Sequence, residues 1–196
     1  MVGVLLAAGL SRRFGSTDKL LHPLPDGTPM ALSAARNLAK AIPLSIAVVR
    51  PDADLLREIL EEAGMQVVSC SKDIAAMSNS FAVGVEFSKN FAEAEEGFVI
   101  ALADMPFIKP DTIAQVANKI REGSSLVVPT FRGQRGHPVG FSYEFRQDLE
   151  NLYGDMGARP ILQGNPDKIH FFETTDRGIL IDIDNPDDMQ AWGSGG

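Results

Sequence analysis

Three short stretches of this 196-residue chain hold residues that could do chemistry on an anion. The first, LAAGLSRRFGSTDKLL (6–21), places Arg12, Arg13 and Lys19 beside Gly9 and Gly15. A glycine lets backbone N–H groups come close to an anion, and neighbouring cations neutralise it. The loop therefore reads as a phosphate cradle, although its spacing is neither G-x-x-x-x-G-K-[ST] nor G-x-G-x-x-G. Three solvated surface charges are the alternative. The second stretch, ALADMPFI (101–108), ends an apolar run in Asp104. A carboxylate there is costly unless it is paired, binds a cation or caps a turn. Mg²⁺ suits such a place, because it takes one or two carboxylates plus substrate phosphates. The third, ILIDIDNPDD (179–188), alternates Asp182 and Asp184 with isoleucine. On a strand both would share one face and repel unless a positive charge lay near. A helix cap at Asp184 or Asn185, before Pro186, is the simpler use.

These stretches need elements to hold them. Apolar, β-branched runs recur at 2–7, 45–50, 66–70, 98–102 and 125–129, the pattern of strands buried on both faces. Helical patterns lie between them at 30–41, 53–63, 79–88 and 111–122, two of these stopping at Gly64 and Gly123. Strands alternating with helices predict an α/β fold: one Rossmann-like, three-layer domain with a mostly parallel sheet. The second half is less regular. It predicts short strands at 138–142, 168–173 and 179–183 and short helices at 157–163 and 186–192, a short mixed C-terminal part. The domain is expected to span 1–192, followed by a flexible tail at 193–196. Ligands of such sheets bind beyond the carboxyl ends of the strands, where all three stretches fall.

Composition narrows the chemistry. The net charge of −8 disfavours generic nucleic-acid binding, so the local basic site points to a small anionic ligand. No apolar run approaches the roughly 18 residues of a membrane span, and no basic segment precedes the first apolar run. The single cysteine, Cys70, forms no internal disulfide, which fits a reducing, cytoplasmic setting. One cysteine and three scattered histidines make no Cys/His metal cluster. Neither a G-x-S-x-G elbow nor a reactive-cysteine setting is present.

The motifs together form a recognisable series. LAAGLSRRFGSTDKLL closely resembles the L-A-(A/G)-G-x-S-x-R-(F/M)-G-x-x-K signature of the molybdopterin nucleotidyltransferase family. LADMPFI, RGHPVGF (135–141), GDMGARPIL (154–162) and DIDNPDD (182–188) resemble its later landmarks, in order. The resemblance covers nearly the whole chain. One segment departs: AAMSNSFAVGV (75–85) has Ala76 and Phe81 where the family often has glycine and leucine, while Ser78 and Ser80 still match.

The resemblance implies transfer of a nucleoside monophosphate to the terminal phosphate of molybdopterin, with pyrophosphate leaving. Leu6, Ala7, Ala8 and Gly9 would face the nucleotide, and Ser78 and Ser80 its ribose or base. Arg13 and Lys19 would hold the phosphates and stabilise charge during transfer. Asp104 would hold Mg²⁺ with Asp184, or with Asp182, as the second ligand. Arg135 and His137 would lie on the acceptor side, His137 alternatively packing beside Pro138, whereas His22 and His170 would be structural. Family members that use GTP read Leu-Ala-Gly-Gly at the first loop; Ala8 here implies CTP, as in the family's cytidylyl branch. Transient contact with a molybdoenzyme or its chaperone is also expected. Open alternatives are GTP as donor, another phosphorylated acceptor, or a non-catalytic nucleotide- or cofactor-binding chaperone.

Overall fold

The apolar runs form strands, and those at 2–7, 45–49 and 98–102 are buried on both faces because helices cover both faces; the one at 66–69, at the sheet edge with a neighbour on one side only, is instead exposed to half-buried. A computed structural model describes residues 1–9, 18–70, 77–154 and 157–185, with side chains from residue 80 onward in the segment that starts at 77. Strand β1 (Val2–Ala7) is buried at every residue. Then follow α1 (Met30–Ala41), β2 (Ser45–Val49), α2 (Asp54–Glu62), β3 (Gln66–Ser69), α3 (Met77–Ser88), β4 (Phe98–Leu102) and α4 (Pro110–Arg121). The second half contains β5 (Leu126–Phe131), β6 (Gln134–Arg135), β7 (Val139–Phe141), α5 (Arg146–Glu150), α6 (Arg159–Gly164) and β8 (Ile169–Glu173). The helices stop where expected. Gly64 and Gly123, just past α2 and α4, sit at φ +85° and +103°, which a side chain would oppose.

The strand order is β3-β2-β1-β4-β7-β5-β6, with β8 also paired to β5. Strands β3, β2, β1 and β4 run parallel, β7 is antiparallel to β4 and β5, and β8 is parallel to β5. Side-chain alternation divides the core into two layers. Leu5, Ala7, Ala47, Val99 and Val127 pack against α1, α2 and α4, whereas Val4, Leu6, Ile46, Ile100 and Val128 pack beneath α3, α5 and α6. Gly84 lets α3 approach closely: a Cβ there would stand 2.7 Å from Val4 Cγ1. This is the α/β, three-layer architecture read from the pattern.

The chain steps from β1 to β2 to β3 on one side, then returns to place β4 on the other side of β1. The crevice between the carboxyl ends of β1 and β4 is therefore the switch point where ligands of such sheets bind.

One predicted strand is absent. Residues 177–180 form a 3-10 turn and 181–184 carry no ladder pairing. The apolar alternation instead marks two anchors, Ile179 and Ile183, both fully buried. Three contacts hold the segment off the sheet. Asp176 accepts the Gly178 N–H, Gly178 lies so close to Phe107 that a Cβ would be 2.2 Å from its carbonyl oxygen, and the Ile183 N–H donates to Asp104 O. The helix expected at 186–192 and the tail at 193–196 lie outside the described residues. Among the described residues no helix is long and apolar enough to cross a membrane.

Candidate functional site

The switch point gathers three of the charged residues singled out above. Lys19 opens a 3-10 turn, Lys19–Leu21, that Asp18 caps by accepting the Leu20 N–H. Its Nζ donates to Asp104 Oδ2 at 3.1 Å and to Asp184 Oδ1 at 2.8 Å. The Lys19 side chain is only 9% exposed, whereas Asp104 and Asp184 are 29% and 47% exposed. Burial alone pulls the lysine pKa down. The hydrogen bond to Asp184 and the charge of Asp104 outweigh it and hold the ammonium above its usual pKa range.

Each member arrives by a separate route. Asp104 follows β4, and the Ala103 N–H extends the β4–β1 pairing by donating to Leu6 O. Asp184 is delivered by the 177–184 segment, fastened by the Ile183 N–H to the backbone of Asp104 itself. The alternative carboxylate, Asp182, acts electrostatically on His137 together with Asp104.

The first-loop tetrad Leu6–Gly9 ends β1 beside this group. Among the described residues, a Cβ on Gly9 would meet no atom within 4 Å. The Ala8 methyl, by contrast, is packed in the core layer that includes Leu6, Cys70 and Phe81. Ser80 is buried in α3. Arg12 and Arg13 lie outside the described residues, as does the side chain of Ser78.

On the expected acceptor side the two residues part. His137 sits in the bulge that separates β6 from β7. Its N–H leaves the sheet to donate to Ile179 O, and its Nδ1 is sealed from solvent with no hydrogen-bond partner among the described residues. Burial pushes its pKa down, against the charges of Asp104 and Asp182. Arg135 lies 4.6 Å over the exposed Phe171 ring and is not joined to the Lys19 group. His22 bonds Pro23 O and His170 bonds Ser124, both away from the cluster. A cavity of about 370 Å³ adjoins the segment that carries Asp184, lined by Phe131, Arg132, Gln134, Arg177, Leu180 and Ile181.

Two supporting residues carry no motif. Arg50, at the end of β2, donates to Gly9 O and to Asp18 Oδ2. Asp176, 2% exposed, accepts from the Lys109 N–H, the Thr112 hydroxyl and the Gly178 N–H, joining the start of α4 to the Asp184 segment. The only local signals were a lone arginine before Pro51 and an aspartate two residues before a glycine, the latter an Asx-turn pattern.

Two carboxylates already brought to one cation match the oxygen set that Mg²⁺ or Mn²⁺ takes with substrate phosphates. Among the described residues no group of three or more His, Cys, Asp or Glu offers an all-protein cage.

Residues 3–169 match the MobA-like NTP transferase domain family. The purine catabolism protein PucB of Bacillus subtilis is 29% identical over 96% of this chain and 93% of its own length. A molybdenum cofactor guanylyltransferase of Cupriavidus metallidurans is 30% identical over 94% of this chain and 86% of its own. Among solved structures, Rv0371c of Mycobacterium tuberculosis in complex with manganese superposes with a TM-score of 0.77 at 25% identity, covering 100% of this chain and 98% of that one.

Proposed function

The chain belongs to the MobA-like NTP transferase family, and from that premise we propose that this nucleotidyltransferase moves a nucleoside monophosphate, GMP from GTP, onto the terminal phosphate of molybdopterin. The observation that carries the reading is the Lys19 ammonium held between Asp104 and Asp184 at the crevice beside Gly9.

The residues divide the work. The open side of Gly9 lets phosphates approach the backbone, and Lys19, kept charged, binds their oxygens in the ground state and as charge develops. Arg13 adds a second cation from the same loop. Asp104 and Asp184 would hold a divalent ion, which would neutralise charge on the triphosphate when bound. The acceptor phosphate oxygen bonds to the α-phosphorus, and the bond from that phosphorus to the bridging oxygen of pyrophosphate breaks. Positioning and electrostatics do the catalytic work, so no nucleophilic side chain is needed. His137 lies on the acceptor side, and the cavity beside Arg132 and Arg177 suits an anionic acceptor.

The relatives named for this cofactor are guanylyltransferases, which supports GTP as the donor. The Ala8 methyl is packed in the core layer and the residue is only 9% exposed, so it weighs little against a purine. CTP is the second reading, resting on the Leu6-Ala7-Ala8-Gly9 tetrad. The test is pyrophosphate release with GTP and CTP in turn, with Mg²⁺ or Mn²⁺ and molybdopterin. Release only with acceptor present supports transfer; triphosphate binding without release makes the chain a binding protein.

A further inference from the structure

The residues flanking the basic loop are fastened by one side chain. Arg50 ends β2, the strand next to β1. Its Nη1 donates to Gly9 O at 2.8 Å, where the chain leaves β1. Its Nη2 donates to Asp18 Oδ2 at 2.6 Å, where the chain enters the 3-10 turn of Lys19, and its Nε stands 3.5 Å from Asp52 Oδ1. Asp18 in turn accepts the Leu20 N–H at 3.0 Å through its other oxygen. The line Arg50–Asp18–Leu20 thus fixes the turn that projects Lys19 toward Asp104 and Asp184. The Arg50 side chain is 21% exposed and that of Asp18 14%, so this pair is better shielded than an ordinary surface ion pair.

We propose that Arg50 is a positioning residue for nucleotide binding, a clamp that sets the span between Gly9 and Lys19 before the triphosphate arrives. Nη1 and Nη2 each hold one flank of the loop, whereas the Nε–Asp52 pair lies on the solvent side, so the part the geometry gives Arg50 is to hold Gly9 and Asp18. The job needs a planar fork: one ammonium does not reach the Gly9 carbonyl and the Asp18 carboxylate together as a guanidinium does. Ordering that the clamp supplies in advance is ordering the nucleotide need not supply. Its loss therefore falls on triphosphate affinity, while the bound complex, once formed, turns over much as before.

This inference rests on the transfer reading, and the experiment separates the two. Amide exchange of the nucleotide-free protein is followed at Leu20 and Leu21, with triphosphate Kd and kcat measured alongside, for wild type, Arg50→Ala, Arg50→Lys and Asp18→Asn, and for Asp52→Asn as control. Arg50→Ala is expected to speed exchange at Leu20 and Leu21 and to weaken triphosphate binding about tenfold, the scale of one charge-assisted contact, with kcat at saturation within about threefold. Arg50→Lys should fail to rescue, Asp18→Asn should act in the same direction, and Arg50→Ala combined with Asp18→Asn should be no worse than Arg50→Ala. Asp52→Asn, which touches only the outer ion pair of a 69% exposed side chain and neither flank of the loop, should change neither. If Arg50→Ala does not fold, Arg50→Lys and Asp18→Asn carry the same expectations. Unchanged exchange in the clamp variants, or a loss of kcat with Kd intact, overturns the clamp. Absence of triphosphate binding by the wild type overturns the transfer reading, and the exchange measurement still decides the clamp.

Discussion

Lys19 Nζ and Asp184 Oδ1 stand 2.8 Å apart although 165 residues separate them in the chain. With Asp104 on its other side, the ammonium sits where two carboxylates converge. On the proposed reading a divalent ion would take the same pair of carboxylates and leave the ammonium to the phosphates that come with it.

Replacing Lys19 should therefore act in opposite directions on two ligands. In Lys19→Met, Mn²⁺ binding without nucleotide should tighten by about fivefold, the equivalent of the ~1 kcal/mol of a part-exposed ion pair. Triphosphate affinity and turnover should both fall. Titration of Mn²⁺ by electron paramagnetic resonance, beside a pyrophosphate-release assay, reads both. Weaker Mn²⁺ binding would show that Lys19 does not compete for the carboxylates.

Asp104→Asn keeps the shape of the side chain and removes its charge. Turnover should drop by at least about 100-fold, the scale of losing one electrostatic contact to the transition state, with the melting temperature little changed. Near-normal turnover with Mg²⁺ would remove Asp104 from the metal role.

Asp176→Ala tests the anchor of the Asp184 segment. It orphans the Lys109 and Gly178 N–H groups and the Thr112 hydroxyl. Urea denaturation should show a loss of about 3 kcal/mol, because buried donors left unsatisfied keep their desolvation cost. Mn²⁺ affinity should fall too, since Asp184 is no longer held. A stability loss with unchanged Mn²⁺ affinity would confine Asp176 to the fold.

How much of this was legible in the sequence follows from the range of each interaction. Runs such as 98–102 and the glycines after α2 and α4 announce their structure locally, because burial on two faces and a left-handed helix end each leave a mark within a few residues. Asp104 and Asp184 were legible because a charge at the end of an apolar run is conspicuous, and Lys19 because it closes a basic, glycine-marked stretch. Arg50 and Asp176 were not: their bonds join residues 41, 32 and 67 positions apart and impose no pattern nearby. The 179–183 stretch misled for the opposite reason. Alternation signals which side chains are buried, and here Ile179 and Ile183 are buried by the α4 side of the core without a neighbouring strand.

Acid should weaken the fold through His137. Burial lowers its pKa in the folded state, so the unfolded chain takes up a proton that the folded one refuses. Stability from this group is level above the unfolded pKa of about 6.5 and falls as the pH drops below it. Denaturation at pH 7.5 and 5.5 should show that loss in the wild type and not in His137→Leu. An equal acid loss in both would assign it elsewhere.

The donor is decided by kcat/KM for GTP and CTP on wild type and Ala8→Gly. GTP should lead by at least about tenfold, the lower end of what one pocket difference provides. Ala8→Gly should move the ratio little, because the methyl is committed to the core layer. A wild-type preference for CTP that collapses in Ala8→Gly would restore the pyrimidine reading.

The bond from Ile183 N–H to Asp104 O also sets an order of assembly during synthesis. A ribosome that has released β1 to β4 has delivered Lys19 and Asp104 but not the carboxylate that completes the group. The Lys19 group is therefore completed only by a segment, 177–184, that is made after every strand of the sheet.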